Sequence, residues 1–397
     1  MTTDALLAQV PVQDIVTWRH YLHAHPELSF KEFKTTEYLI SILETFPNLE
    51  LQRPTETGVV AILKGGKPGK TIALRADIDA LPIQEETDVD FISQNDGVMH
   101  ACGHDTHMSI LLGAVKMIAP MQAEIAGTIK FLFQPAEELP PGGAVEFVKA
   151  GVMDDVDQVF GLHIFPMIPT GAIGYKYGAL TASSDSLNLT IHGVGAHAMA
   201  PETSVDVITI GAEIISNCNN IIARRISPLA AGLISWGQFS AGHANNVIPD
   251  TATIKASIRT RNPEIRTRNP EIRTQMRDMV EQTVKGICEA YGATYDFDFM
   301  YGYSSVVNST AEMDALRQSA VKVVGETGVF EVPDMMGGED FSAYTDVKPG
   351  CFFALGGGEA KDGYGYINHS PEFKVADESL PVGTAVFVQL VKDLMVD

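Results

Sequence analysis

The chain is poor in cysteine, in basic residues and in long apolar runs, and each shortage excludes a class of protein. Its 397 residues include 4 Cys, and 28 Lys and Arg stand against 50 Asp and Glu, a formal net charge of −22. The cysteines form no CxxC pair, so we expect neither a disulfide framework nor a zinc ribbon. The negative charge would repel phosphate backbones and anionic membranes, so a nucleic-acid partner is not expected.

The apolar residues are distributed as in a globular protein rather than a membrane protein. No apolar run approaches the roughly 20 residues of a spanning helix. The first residues, "MTTDALLAQVPVQD", lack a basic stretch followed by an apolar core, so we expect no signal peptide. A cytoplasmic protein with reduced thiols is therefore predicted. Hydrophobic residues make up 45% of the chain, enough to bury a sizeable core.

Apolar strand patterns alternate with helical patterns in the first half of the chain. Helices are predicted at 13–46, with a break near "HPE", and at 106–119. Buried strands are predicted for "GVVAILKG" (58–65), "TIALRADIDAL" (71–81) and "VDQVFGLHI" (156–164). A further strand is predicted in "GTIKFLFQPAEE" (127–138), where it stops at Pro135. This alternation predicts an α/β domain with a mixed, mostly parallel sheet.

The pattern changes at about residue 182. The order becomes βαββαβ, which is typical of a small ferredoxin-like domain with helices on one face of an antiparallel sheet. We therefore predict that 182–304 is a small domain inserted between the two parts of a larger α/β domain, 1–181 and 305–397. The stretch "RTRNPEI" occurs twice, at 259–265 and 266–272. A duplication that lengthens one strand-to-helix connection is the simplest interpretation.

Metal-ligand side chains follow several of the predicted strands. The stretch "MHACGHDTH" (99–107) alone holds three His, one Cys and one Asp. Polar groups at the carboxyl ends of strands converge in open α/β sheets, so a shared site is predicted. From the residues alone, Cys102 could be a nucleophile paired with His100 or His104, a redox thiol or a metal ligand. The candidate site residues are Asp77, Cys102, His104, Glu137, Glu138, His163 and His369.

The joint pattern favours a metal site over separate structural roles. Cys, His and Glu ligands suit zinc or a similar divalent ion. One metal needs three or four ligands, whereas one Cys, three His and one Glu supply five candidate ligands before the second glutamate is counted. We therefore predict two metals that share a bridging ligand and a bridging water. A carboxylate must then move the water's proton to a leaving group, and Glu137 and Glu138 could divide these tasks. On extended backbone the two neighbours would point to opposite sides.

Eight motifs in unbroken order resemble the M20 metallopeptidases. The match is best to their amidohydrolase branch of hippurate hydrolases, N-acyl-L-amino-acid amidohydrolases and auxin-conjugate hydrolases, which the opening "RHYLHAHPELSF" (19–30) also resembles. The motifs are "RADIDALPI" (75–83), "HACGHDTH" (100–107), "FQPAEE" (133–138), "GLH" (161–163), "GVGAHAMAP" (193–201), "NNVIP" (245–249), "GGEDFS" (337–342) and "INHSPEF" (367–373).

The resemblance implies a role for each candidate. Arg75 stands where related peptidases carry a metal-binding His, and His104 would replace that ligand. Cys102 would be the bridging ligand, Glu137 the general base and Asp77 a partner of the ligands. The inserted domain 182–304 would be the family's satellite or dimerisation domain, in which His197 would polarise the substrate carbonyl, often across a dimer. Asn246 and Arg259 of the same domain would bind the substrate carboxylate. The implied metal ligands are Cys102, His104, Glu138, His163 and His369.

The resemblance implies a binuclear metalloamidase that acts on small molecules, with no nucleic-acid or membrane partner. We expect hydrolysis of N-acyl amino acids or related conjugates by a homodimer or dimer-based oligomer. The two divalent ions would be Zn²⁺ or Mn²⁺, and Co²⁺ and Ni²⁺ also suit such ligands. A dipeptidase or carboxypeptidase acting on short peptides is the alternative enzyme. A non-catalytic binding protein is a further alternative, although such a protein would be expected to have lost part of this site.

Overall fold

The computed structural model describes residues 3–227, 231–261 and 270–396. The chain divides into two compact units. The first unit comprises Met1–Leu180, Val306–Pro333 and Asp340–Asp397, and the second comprises Thr181–Ser305 and Asp334–Glu339. The sequence predicted domain boundaries between residues 181 and 182 and between residues 304 and 305. The short segment Asp334–Glu339 packs with the second unit although it lies outside the predicted insertion.

Helices and strands follow one another in this order. The first segment contains α1 (Thr3–Leu7), α2 (Val12–Ala24), α3 (Phe33–Leu43), β1 (Leu49–Gln52), β2 (Val59–Lys64), β3 (Lys67–Asp77), α4 (His104–Ile118), β4 (Ala126–Gln134), α5 (Gly143–Lys149), β5 (Gln158–Phe165), β6 (Ile173–Tyr175) and β7 (Gly178–Ala179). The second unit contains β8 (Asp185–His192), β9 (Ala196–His197), α6 (Val207–Arg225), β10 (Ala231–Ala241), β11 (Val247–Ile248), β12 (Thr251–Arg261), α7 (Pro270–Tyr291) and β13 (Thr294–Met300). The last segment contains β14 (Val307–Asn308), α8 (Thr310–Val324), β15 (Val329–Glu331), α9 (Ser342–Thr345), β16 (Gly350–Gly356) and α10 (Leu380–Met395).

The first unit is built on an eight-stranded sheet. Its order is β1-β2-β4-β3-β5-β16-β6-β15. The central strands β4, β3, β5 and β16 run parallel to one another. The pairs β1–β2, β2–β4 and β16–β6 are antiparallel, and β15 runs parallel to β6. Every residue of β16 is buried, as expected for a strand covered on both faces. The predicted mixed, mostly parallel sheet is confirmed.

Helix α4 lies in the centre of this unit and is buried over almost its whole length. Gly113 lets α2 approach closely, because a Cβ there would lie 2.5 Å from Ile15 Cδ1. Gly383 of α10 lets α10 approach α4 closely from another side, because a Cβ at Gly383 would lie 2.9 Å from Ile110 Cδ1. Tight packing on both sides fixes α4, and with it the direction of the His104 side chain at its first turn.

The second unit has the predicted ferredoxin-like topology. Its four-stranded sheet has the order β10-β12-β8-β13, and all neighbours are antiparallel. Residues of β8 alternate between buried and less buried positions, so one face of the sheet is covered. Helices α6 and α7 supply apolar residues to the same core as β8 and β12, including Ile214 and Val280.

The predicted helical segment 13–46 consists of two helices, α2 and α3. Proline at position 26 lacks a backbone N–H and disfavours helix in the preceding residue, so α2 ends at Ala24. The connection 25–32 instead packs against the loop after β3, where Leu28 forms a bridge with Ala80. Among the described residues, no helix is both long and apolar enough to cross a membrane.

Buried ion pairs join α2 to α4. The Asp105 carboxylate accepts a hydrogen bond from Arg19 Nε at 3.1 Å and lies 3.0 Å from His23 Nδ1. His23 Nε2 lies 3.1 Å from Glu85 Oε1. Burial lowers the pKa of His23, but Asp105 and Glu85 outweigh burial and raise this pKa to about 9. The imidazolium of His23 therefore donates to both carboxylates at neutral pH.

We expect the first unit to lose stability as His23 loses its proton. Its pKa is raised in the folded chain, so the stabilisation is fully present below pH 6.5 and is lost as the pH rises through about 9. The free energy of unfolding should fall by up to ~3 kcal/mol between these two pH limits. Urea unfolding at pH 6 and pH 9.5 measures it, with His23→Gln as the variant. The control is His25→Gln, because His25 bonds a carbonyl of its own helix. Equal pH dependence in wild type and His23→Gln would contradict this prediction.

Candidate metal centre

A tight loop places Cys102 and His104 at the start of α4. Gly103 between them has a φ of +91°, which side chains disfavour. A Cβ at Gly103 would also lie 2.5 Å from Ile164 Cγ2, so glycine is required here. The ligand-type atoms of Cys102, His104 and His163 lie within 4.8 Å of one another. The strand end of β5 and the start of α4 thus meet at one point.

Hydrogen bonds fix which ring nitrogen of each histidine faces this point. His104 Nδ1 lies 2.9 Å from the carbonyl oxygen of Asp79, and His163 Nδ1 lies 2.7 Å from that of Ile164. A carbonyl can only accept, so each Nδ1 carries a proton. Each Nε2 is then directed at the cluster, and His163 Nε2 lies 3.3 Å from Cys102 Sγ. Backbone carbonyls hold metal-binding histidines in this way.

His369 reaches the cluster from a loop that follows β16. Its backbone has a φ of +69°, and its N–H donates to the carbonyl oxygen of Ala101 at 2.8 Å. The neighbouring Asn368 donates to the carbonyl oxygen of Cys102 at 3.1 Å. These two bonds fasten the "INHSPEF" loop to the cysteine loop. His369 Nε2 then lies 3.2 Å from Glu138 Oε1.

Glu137 and Glu138 do not lie on extended backbone, contrary to the expectation from sequence. Strand β4 ends at Gln134, and Ala136 has a φ of +53° in the left-handed region. The two backbone N–H groups of Glu137 and Glu138 donate to the two carboxylate oxygens of Asp79, each at 3.0 Å. A turn held by Asp79, rather than strand alternation, therefore decides where the two glutamates point.

Negative charge accumulates at this point. Burial, followed by the carboxylates of Glu138, Glu137 and Asp77, raises the pKa of the Cys102 thiol well above its usual range. Burial lowers the pKa of His104, yet Asp77, Asp79 and Glu138 raise it to about 10. The cluster therefore attracts a positive charge, and without another cation a proton on His104 provides it.

The residues fit divalent metal ions. Among the described residues, the buried His104 Nε2 has no hydrogen-bond partner, and Glu138 Oε1 makes no well-aligned hydrogen bond although it lies 3.2 Å from His369 Nε2. Of the five sets of ligand atoms that group within 4.8 Å among the described residues, three overlap through Cys102, His104 or Glu138. Thiolate, imidazole and carboxylate are the ligands that zinc and similar ions prefer. The three overlapping sets are Cys102, His104 and His163; Cys102, Glu138 and His369; and His104, Glu137 and Glu138.

His107 lies nearby, but its two ring nitrogens are already used. Nδ1 lies 2.6 Å from Asp77 Oδ1, and Nε2 accepts the backbone N–H of Ile164 at 2.9 Å. The accepted bond requires a lone pair on Nε2, so this nitrogen cannot also bind a metal. Asp77 in turn takes a 2.6 Å bond from Arg75 Nη1 and lies 3.6 Å from His104 Nε2. Asp77 thus contacts Arg75 and His107 and lies next to His104.

Two positioning residues were not assigned from sequence. Asp79 holds the glutamate turn, and Asp340 accepts bonds from Arg75 Nη2 at 2.7 Å and Gln134 Nε2 at 2.8 Å. The backbone N–H of Asp340 donates to Glu137 Oε1 at 3.3 Å. The "RADIDAL" and "GGEDFS" motifs contained these aspartates, but nothing in the spacing indicated that their partners would be backbone groups and a buried arginine.

The remaining predicted residues lie in the second unit. His197 on β9 is exposed and pairs in register with Val247 on β11. The carbonyl oxygen of Asn246 accepts the N–H of Ala198 at 3.1 Å, so Asn246 lies beside the His197 hairpin. Arg259 on β12 donates to Ser257 Oγ at 2.7 Å. The RTRNPEI repeat (259–272) begins in the last residues of β12 and ends in the first residues of α7, and its residues 262–269 lie outside the described part of the chain.

Comparison with known proteins identifies the family. Residues 73–393 match the model of peptidase family M20/M25/M40. The chain belongs to this family. An N-acyl-L-amino acid amidohydrolase of Geobacillus stearothermophilus is 47% identical over 295 residues, 74% of this chain and 78% of that protein. Thermostable carboxypeptidase 1 of Saccharolobus solfataricus is 37% identical, and the match covers 94% of each chain.

A solved M20 structure has the same fold. It is a Bacillus subtilis protein described as a dinuclear metal binding peptidase, 34% identical, with a TM-score of 0.82 over 96% of this chain and 97% of that chain. The resemblance to the M20 amidohydrolases and the α/β fold class are confirmed. Like its relatives, this M20 chain is a hydrolase acting on C–N bonds.

Proposed function

We propose that the protein is a binuclear metal-dependent amidohydrolase that cleaves the amide bond of N-acyl amino acids. The observation that carries the proposal is the convergence of five ligand-type side chains next to Glu137. The 47% identity to an N-acyl-L-amino acid amidohydrolase supports this substrate class. Cys102, His104, Glu138, His163 and His369 would hold the two ions, with Cys102 as the shared ligand. Zn²⁺ and Mn²⁺ are the ions proposed first.

Glu137 is proposed as the general base and acid. When bound, the divalent ions would lower the pKa of a water and polarise the substrate carbonyl. Glu137 takes one proton from the attacking water and delivers it to the amine nitrogen as the C–N bond breaks. Glu137 is buried, with 7% of the residue exposed, and its carboxylate accepts a hydrogen bond from the backbone N–H of Asp340. An oriented, water-poor carboxylate is suited to this transfer.

The second unit is proposed to hold the substrate. His197 donates a hydrogen bond to the carbonyl oxygen as negative charge develops there. Asn246 and Arg259 bind the substrate carboxylate, and the planar guanidinium suits this because it offers two parallel donors. We propose further that the enzyme works as a homodimer in which His197 comes from the partner subunit.

A carboxypeptidase or dipeptidase is the second candidate function. The 37% identity to a carboxypeptidase over 94% of both chains favours it. A substrate panel separates the two. Release of benzoate from benzoyl-glycine supports the amidohydrolase, and it should need the free carboxylate, so benzoyl-glycinamide should react poorly. Turnover of free dipeptides with little hydrolysis of N-acyl amino acids would instead support a peptidase.

Metal removal should abolish hydrolysis. The divalent ions would supply the activated water and polarise the carbonyl, so a strong chelator should leave inactive protein. Adding back Zn²⁺, Mn²⁺, Co²⁺ or Ni²⁺ singly should restore benzoate release with at least one ion, and metal analysis should approach two ions per chain. Full activity in protein shown to be free of metal would refute the metalloenzyme.

The two glutamates should separate chemistry from metal binding. Glu137→Gln cannot carry the proton, so kcat should fall roughly 10²- to 10⁴-fold with metal content retained. Glu138→Gln removes a charged ligand, so metal content itself should fall below that of the wild type. Metal analysis and kcat of both variants form the measurement, and each variant serves as the control for the other. The reverse ranking of metal contents would exchange the two roles.

Replacement of His197 should test catalysis between subunits. Losing one oxyanion donor typically costs on the order of 10²- to 10³-fold in kcat, so His197→Ala should be nearly inactive. If the residue acts on the partner subunit, mixing His197→Ala with Glu137→Gln chains should restore activity, because one site in the hybrid has both groups. No restoration in a mixture proven to exchange subunits would refute action across the dimer.

A further inference from the structure

Three consecutive backbone N–H groups, those of residues 136, 137 and 138, donate to two buried carboxylates. Asp79 accepts the bonds from Glu137 and Glu138, as described above. Glu32, at the start of α3, accepts the bond from Ala136 at 2.8 Å. Glu32 is 0% exposed. Side-chain carboxylates, rather than the backbone of a neighbouring strand, therefore accept the backbone hydrogen bonds of the turn that carries the two glutamates.

One oxygen of Glu32 stabilises two strained residues. Glu32 Oε1 also accepts the backbone N–H of Phe30 at 3.0 Å. Phe30 and Ala136 have φ values of +62° and +53°, which are unfavourable for residues with a Cβ. Such residues persist only where surrounding contacts determine them, and they gather at functional sites. The same oxygen thus holds a left-handed residue in each of two distant segments.

The segment before Glu32 supports the second carboxylate. Ser29 Oγ donates to Asp79 Oδ2 at 2.6 Å, and this oxygen also accepts the N–H of Glu138. Residues 29–32, here named the clamp segment, therefore reach Ala136 directly and Glu138 through Asp79. Burial and the neighbouring Asp79 carboxylate raise the pKa of Glu32 to about 7, so this carboxyl lies in an unfavourable environment. Fold stability alone gives no reason for placing it there.

We propose that Glu32 is a positioning residue that fixes the directions of Glu137 and Glu138 by holding Ala136 in its left-handed conformation. The proposal rests on the proposed roles of those two glutamates. The backbone beside Ala136 has little room to adjust otherwise, because its carbonyl oxygen accepts the N–H of Gly143 at 3.0 Å. Loss of the Glu32 bond leaves Ala136 free to leave the left-handed region. The peptide plane that follows then turns, and both side chains are displaced from the centre.

The first test compares two replacements of Glu32. Glu32→Ala removes the acceptor, and loss of such a supporting contact typically costs about 10- to 100-fold in activity or metal affinity. In Glu32→Gln an amide oxygen can still accept both N–H groups, so kcat and metal affinity should stay within about 3-fold of wild type. Glu37→Ala, an exposed change in the same helix, is the control and should have no effect. Equal kcat in Glu32→Ala and wild type would overturn the proposal.

The second test removes the strain at Ala136 in addition to the Glu32 carboxylate. Glycine adopts a positive φ without cost, so Ala136→Gly should lessen the need for Glu32. Adding Ala136→Gly to Glu32→Ala should therefore recover about 5-fold of the lost kcat, the equivalent of ~1 kcal/mol of left-handed strain. A structural role of Glu32 alone would lower the melting temperature without this recovery. A folded Glu32→Gln with kcat and metal affinity more than about 10-fold below wild type would overturn the proposal, and this outcome can be read even if Glu32→Ala does not fold.

Metal affinity separates this proposal from the proposed function. Competition with a chelator measures how tightly each variant retains added Zn²⁺, and it needs no substrate. If the wild type hydrolyses no N-acyl amino acid but Glu32→Ala loses Zn²⁺ at least 10-fold more readily than the wild type, the proposed function is refuted and the positioning role of Glu32 is supported. If the wild type is active and Glu32→Ala keeps both its kcat and its Zn²⁺ affinity, the clamp fails and the proposed function stands.

Discussion

Carboxylates brought together at the ends of β3 and β4 are the constraint on which the rest of the first unit depends. Asp77, Asp79, Glu137 and Asp340 are all less than 9% exposed, and each would be costly to bury without compensation. The buried guanidinium of Arg75 pairs with Asp77 and Asp340. Backbone N–H groups satisfy Asp79. The charge that these partners leave uncompensated is the charge that a divalent metal pair would neutralise.

The same constraint explains how the site is divided between rigid and adjustable parts. Histidines 104 and 163 are oriented by backbone carbonyls of packed elements, so their Nε2 atoms have little freedom. Glu137 and Glu138 lie on a turn, where two carboxylates replace a ladder of strand hydrogen bonds. Turns of this kind can store strain, and here the strain is concentrated at Ala136, directly before the glutamates. Pre-organisation of the proposed base thus depends on side chains about 60 and 100 residues away in sequence.

Strong local patterns were sufficient to predict most of the architecture. The alternation of buried strands with helices predicted the mixed sheet, and the βαββαβ order from 182 onwards predicted the second sheet, because strand and helix periodicities are local properties. The predicted alternation of Glu137 and Glu138 along a strand was wrong. That error has a physical cause: β4 ends before Pro135, which has no N–H, and the bonds that hold Ala136 and the two glutamates come from Glu32 and Asp79, which are remote in the sequence.

The sequence by itself determined the family, the fold class and the inventory of ligand-type side chains. Motifs such as "HACGHDTH" and "INHSPEF" are contiguous, and the residue types within them restrict the chemistry. Only the tertiary structure decided which nitrogen of each histidine faces the cluster, that both nitrogens of His107 are occupied, and that Asp79, Asp340 and Glu32 support the glutamates. These are relations between hydrogen-bond donors and acceptors on different elements. Such relations exist only once packing has brought those elements together, so no local pattern of residues encodes them.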